Sequence, residues 1–139
     1  MAANDYKYAT TPIGTDIPCK NTEASTALAA GNVVKLDATN VLSGTQANIG
    51  VLQGAATTDY PVGVAMEAAA AGKQLRVRCE GIAQVVAGAA ITAGALVMPT
   101  TAGKVITQTA AKPQLGQALT AAAADGDRIL VLLSRALNA

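Results

Sequence analysis

The sequence predicts an all-β protein: a small β-barrel or sandwich with an internal pseudo-repeat and an extended N-terminal arm. Three observations point there. Apolar residues alternate in short runs, as in Leu75-Arg76-Val77-Arg78-Cys79, and Gly, Pro, Asn or Asp separate one run from the next. The later part of the chain restates the pattern of the earlier part. Helix formers do gather at 67–71 and 121–124, but each run ends on a glycine, Gly72 or Gly126. Runs so short cannot hold a helix in water and make at most one helical turn on the way into a hairpin.

Residues 1–24 stand apart as a candidate arm, leaving 25–139 as a single β-rich domain. The segment holds Tyr6, Tyr8, Pro12 and Pro18, and Ile13, Thr15, Ile17 and Cys19 alternate with Gly14, Asp16, Pro18 and Lys20. Proline has no amide proton to give to a ladder, so such a segment belongs at an edge or outside the sheet. Two readings remain: an arm that lays Tyr6, Tyr8, Ile13 and Ile17 on a partner as an added strand, or a disordered tail. On either, deleting residues 1–20 spares the fold. Strands are then expected at 32–36, 61–65, 75–80, 82–86, 96–98, 104–107, 114–119 and 128–134. A long insert, 39–60, separates the first of these from Gly63.

The repeat is legible in two alignments. "TALAAGNVVKLD" (26–37) lies over "AAITAGALVMPT" (89–100), matching Leu28 with Ile91, Gly31 with Gly94, and Val33-Val34 with Leu96-Val97. "VGVAMEAAAAGKQLRVRC" (62–79) lies over "LGQALTAAAADGDRILVLL" (115–133) with one residue inserted near Asp125, so that Gly63 meets Gly116, Leu75 meets Ile129 and Val77 meets Val131. The copies disagree at one place. Alternation sets Leu75, Val77 and Cys79 on an inner face and Arg76 and Arg78 on a wet outer one. Leu130 and Leu132 replace those arginines, which makes 129–133 apolar on both sides, the mark of a strand covered twice. Either a neighbouring subunit covers Leu130 and Leu132, or the arm or the 39–60 insert folds back over them.

Composition narrows the function. Of 139 residues, 51% are hydrophobic, with alanine supplying close to half of these, and the aromatics are three tyrosines alone. Large aromatic side chains normally dominate core burial, so a core of Val, Ile, Leu and Ala invites completion by neighbouring subunits. A net charge of +1 with scattered basic residues argues against nucleic acid or an acidic membrane as partner. No apolar run approaches a membrane span, and the N-terminus lacks the apolar segment of a secretory signal, so a soluble chain made in the cytoplasm is expected.

Catalytic chemistry has little to work with. The absence of histidine removes the commonest general base and metal ligand, and with it every Ser-His or Cys-His arrangement. Asp125-Gly126-Asp127 reads as a turn, because a calcium loop needs further ligands and a closing glutamate. No glycine-rich loop carries the Lys-Ser/Thr of a phosphate cradle. A disulfide between Cys19 and Cys79 is possible, but a small, cysteine-poor chain favours two inert thiols, buried or half-buried. No catalytic residue, metal or cofactor is expected.

The order "GNVVKLD", "VGVAMEAAAAGKQLRVRCEGIAQV", "AITAGALVMPTTAGKVIT", "LGQALTAAAADGDRILVLL", spanning about 26–135, resembles the capsid cement, or head decoration, proteins of tailed bacteriophages. The resemblance implies a β-rich structural protein on the outer surface of an assembled phage head, made in the host bacterial cytoplasm. It also implies binding to the major capsid protein, commonly as a trimer, and stiffening of the shell without catalysis. Leu130 and Leu132 are then the expected subunit interface of a homotrimer. A free-standing glycan- or peptide-binding module and a phage tail structural protein are the alternatives. Biotinyl and lipoyl carrier domains share the pseudo-twofold barrel but need a lysine at a hairpin tip, where this chain has Glu67 and alanines.

Overall fold

The computed structural model describes residues 14–39, 49–54, 60–109 and 113–137. Tyr6, Tyr8 and Ile13 lie outside the described residues. Nine strands follow in order: β1 (Gly14–Asn21), β2 (Val33–Leu36), β3 (Ile49–Gln53), β4 (Pro61–Ala65), β5 (Gln74–Val86), β6 (Leu96–Pro99), β7 (Val105–Thr107), β8 (Pro113–Ala118) and β9 (Arg128–Leu137). The described residues contain no helix. The alanine runs are loops whose middle residue is pinned. Ala69 exchanges both backbone hydrogen bonds with Leu28 (2.8 and 2.9 Å), and Ala122 does the same with Ile91 (2.9 Å each). Both alanines are buried. Their neighbours Ala68, Ala70, Ala121 and Ala123 are exposed, so burial bears on Ala69 and Ala122 alone.

The strands build two successive barrels, the first closed by strand pairing and the second by a single bridge. In the first, β1 joins β3, β3 joins β2, β2 joins β4, β4 joins β5, and β5 pairs back to β1. In the second the order is β5-β9-β8-β6-β7, and a parallel bridge from Ala87 to Val105 returns β7 to the end of β5. Within each barrel the pairings correspond: β2 lies antiparallel to β3 and β4, as β6 does to β7 and β8; β4 lies antiparallel to β5, as β8 does to β9. The two glycines of the aligned copies serve one purpose. A Cβ on Gly63 would run into the Arg78 carbonyl, and one on Gly116 into the Leu132 carbonyl.

The correspondence extends further toward the N-terminus than the alignments do. β1 runs antiparallel to the first half of β5 and parallel to β3. The second half of β5 runs antiparallel to β9, and Ala87, the residue after it, bridges in parallel to β7. The second half of β5 is therefore to barrel two what β1 is to barrel one, and β5 is shared. Gly81, with φ of +96°, marks the crossing and pairs with both Gly14 and Leu133. The cores agree residue by residue: Cys19 with Val85, Leu28 with Ile91, Val34 with Val97, Val51 with Val105, Ala65 with Ala118, Ala69 with Ala122, Leu75 with Ile129, and Val77 with Val131. One position breaks the pattern. Asn21, fully buried, stands where barrel two has Ala87. Seven residues lead from Asn21 to Leu28 but four from Ala87 to Ile91. The Asn21 amide satisfies the longer connection, donating to the Thr26 and Ala69 carbonyls (2.9 and 3.0 Å) and accepting from the Glu23 amide (3.0 Å).

Several expectations change. From Gly14 onward, the segment assigned to the arm is β1, with Cys19 in the core, so deletion through residue 20 would open barrel one. Pro18 is tolerated because its partner Arg76 directs its own amide to Glu67 and its carbonyl to the Met66 amide, so the ladder asks no amide proton of Pro18. The 39–60 insert contains β3. The expected strands 75–80 and 82–86 are one, because Gly81 turns the strand without ending it. The outer face of β5 is not uniformly wet: Arg76 is exposed, whereas Arg78 is only 4% exposed. Arg78 Nε donates to Asp16 Oδ1 (2.8 Å), Nη2 to Asp16 Oδ2 (3.3 Å) and Nη1 to the Ile82 carbonyl (3.0 Å). Strand alternation fixes which face a side chain takes, but the cover that β1 lays over that face is tertiary.

Candidate binding face

Chemical groups are sparse. The described residues hold no group of three or more His, Cys, Asp or Glu side chains that suits a metal. Cys19 and Cys79 are not joined in a disulfide. Leu75 stands opposite Cys19 and Cys79 lies four residues further on. That is about 13 Å of strand, whereas a disulfide needs Cα atoms within about 7 Å. Burial, and secondarily the nearby Cys79, push the Cys19 thiol up to about 11. A thiol so reluctant to ionise is a packing residue and no nucleophile.

What the molecule does offer is an apolar face on barrel two. Register puts Leu96, Gln117, Leu132 and Ile82 in one row across β6, β8, β9 and β5. The next row brings Leu119, whose amide bonds the Leu130 carbonyl at 2.8 Å, beside Leu130 and its pair Gln84. Leu96, Leu119 and Leu132 are 41%, 42% and 40% exposed, and Leu130, Ile82 and Gln84 are half-buried. Leu130 and Leu132, singled out from the repeat, are thus brought together. Leu96 and Leu119 join them, and their counterparts Val33 and Met66 carried no sign of this in the sequence. Among the described residues, no segment of the arm or insert covers Leu132. In barrel one the same row holds the Arg78–Asp16 ion pair, since Leu132 pairs with Ile82 as Arg78 pairs with Asp16.

Ile17 sits elsewhere. It is half-buried on β1 and packs against the core of barrel one. A second exposed spot is a groove of about 380 Å³ lined by Lys35, Leu36, Asp37, Ala38, Thr39, Leu52 and Tyr60. Asp37 is fixed there as an acceptor, from Thr22 Oγ1 (2.6 Å) and Thr39 Oγ1 (2.7 Å). Tyr60 presents a single ring, short of the aromatic platforms that a glycan-binding module displays.

The described residues thus form two fused all-β barrels, the second with an apolar face open to solvent. The model of the phage cement proteins matches residues 21–133, most of the chain, and this chain belongs to that family. Among solved structures, the N-terminal base of head fiber gp8.5 of bacteriophage phi29 has a similar fold. It shows a TM-score of 0.65 at 18% sequence identity, over 86% of this chain and 93% of that one. No curated protein matches the sequence.

Proposed function

We propose that this protein is a cement protein that binds the outer surface of an assembled phage head as a homotrimer and stiffens the shell without catalysing any reaction. Residues 1–13 lie against the major capsid protein, and Leu130 and Leu132 lie between subunits. Family membership supports the capsid role. The observation that carries the assembly is the open apolar face, because a barrel cored with Val and Ala has little reason to leave three leucines about 40% exposed unless another surface meets them. Replacing Leu130 and Leu132 with arginine, as barrel one has it, tests the reading. The double variant is expected to sediment as a folded monomer and to leave phage heads undecorated. A variant that still sediments as a trimer and still decorates heads would remove this strand from the interface.

A further inference from the structure

The contact between the two barrels within one chain is a template for the contact between chains, and we propose that successive copies join through it head to tail. This rests on the self-association reading above and specifies which faces meet.

Inside the chain, barrel two covers one face of barrel one. Val33 and Val64, on the outer side of β2 and β4, are fully buried and belong to the core cluster of barrel two, with Met66 packed against it. The Ala30 carbonyl accepts from Arg128 Nη1 at 3.1 Å. The Val33 amide donates to the Gly103 carbonyl at 2.8 Å. A side chain on Gly31 would meet Arg128, Gln84 and Val86.

The counterparts of these covered residues are the open face. Val33 corresponds to Leu96, Val64 to Gln117, Met66 to Leu119 and Gly31 to Gly94. Leu96, Gln117, Leu119 and Gly94 are all exposed, and nothing lies within 4 Å of where a Gly94 side chain would start. Among the described residues, nothing covers on barrel two the face that barrel one buries against its neighbour.

The covering surface also has an idle copy. Barrel two covers its neighbour with Gln84, Val86, Arg128 and the turn at 100–103. In barrel one the first three correspond to Pro18, Lys20 and Gln74, all exposed. Between them, Ile17 and Ile49 replace the smaller Ala83 and Gly103 and are half-buried. Each chain thus carries one unmet head, on barrel two, and one unmet tail, on barrel one. Unlike faces that pair generate a ring when the rotation closes. Three chains place six barrels in that ring, and Gln74 of one copy donates to the Ala93 carbonyl of the next, as Arg128 does to Ala30 within the chain.

Cross-linking tests the arrangement. Ala93→Cys and Gln74→Cys are introduced singly and together in a Cys79→Ala background and treated with a short bismaleimide. The double variant is expected to run as covalent dimers and trimers on denaturing gels, and each single variant as a monomer. Dimers from Ala93→Cys alone would mean that like faces meet, and would overturn the proposal. A double variant that sediments as a trimer yet does not cross-link would overturn it and leave the trimer standing. Sedimentation of the wild type as a monomer would end the self-association reading itself.

Discussion

The buried pair Arg78–Asp16 offers a sharp test, because barrel two holds the apolar residues Leu132 and Ile82 at the same register. Asp16→Ala removes two charge-assisted hydrogen bonds and leaves a guanidinium that is 4% exposed with only the Ile82 carbonyl. Breaking a buried ion pair at one end costs about 3–5 kcal/mol. The Asp16 side chain is 19% exposed, so water reaches the vacated site and the expected cost falls to about 2–3 kcal/mol. For a chain of this length that lowers the melting temperature by roughly 6–10 °C. The double replacement Asp16→Ile with Arg78→Leu copies barrel two, and apolar substitution of a whole buried pair is often neutral or better. It should return to within about 1 kcal/mol of the wild type. Urea unfolding at one fixed protein concentration measures all three proteins, since dissociation is linked to unfolding in an oligomer. The reasoning is wrong if Asp16→Ala is as stable as the wild type, or if the double variant is no better than the single one.

Deleting residues 1–13, and not beyond, should leave the thermal transition unchanged while weakening head binding at least tenfold, about 1.4 kcal/mol, in a pelleting assay; unaltered binding would make the segment a mere tail. Cys19 ionises near 11 when folded and near 9 when unfolded, so the folded state holds the proton longer. Its contribution is complete below pH 9 and fades as pH rises toward 11, by about 2–3 kcal/mol. Cys19→Val, the residue barrel two uses at Val85, should flatten that alkaline decline in denaturation curves recorded from pH 8 to 11. Gly63→Ala and Gly116→Ala should each cost about 1–3 kcal/mol or more, because the new methyl meets a backbone carbonyl; two wild-type melting curves would show that the strands approach less closely than described.

Much of this architecture is written in the sequence, and the gaps have physical causes. Gly and Asp turns bound short strands, and β4 falls where the alternation of Pro61–Ala65 puts it. The paired glycines and Leu/Ile positions align both barrels because each meets the same steric demand twice. β3 was recoverable: its Val51 corresponds to Val105 of an expected strand, but the longer connection before it broke the alignment. β1 was harder to read. Its counterpart is half of a strand that Gly81 seemed to end, and three extra residues after Asn21 displace the register. The open face was half visible. Leu130 and Leu132 stand out against the arginines, whereas nothing in the sequence sets Leu96 and Leu119 apart from other strand residues. Their exposure depends on what docks in one barrel and not in the other, a tertiary fact that periodicity does not encode.

Sharing β5 gives the pair of barrels no hinge. Domains joined by a linker sample many mutual orientations and lose that freedom when a rigid lattice captures both. Here the seam is a hydrogen-bonded strand of 13 residues, and the relative orientation is fixed at folding. Docking on a shell then freezes one body rather than two, and the entropy otherwise spent aligning the barrels remains as affinity. The same rigidity works in reverse: a shell subunit that shifts must move both barrels together or release them together.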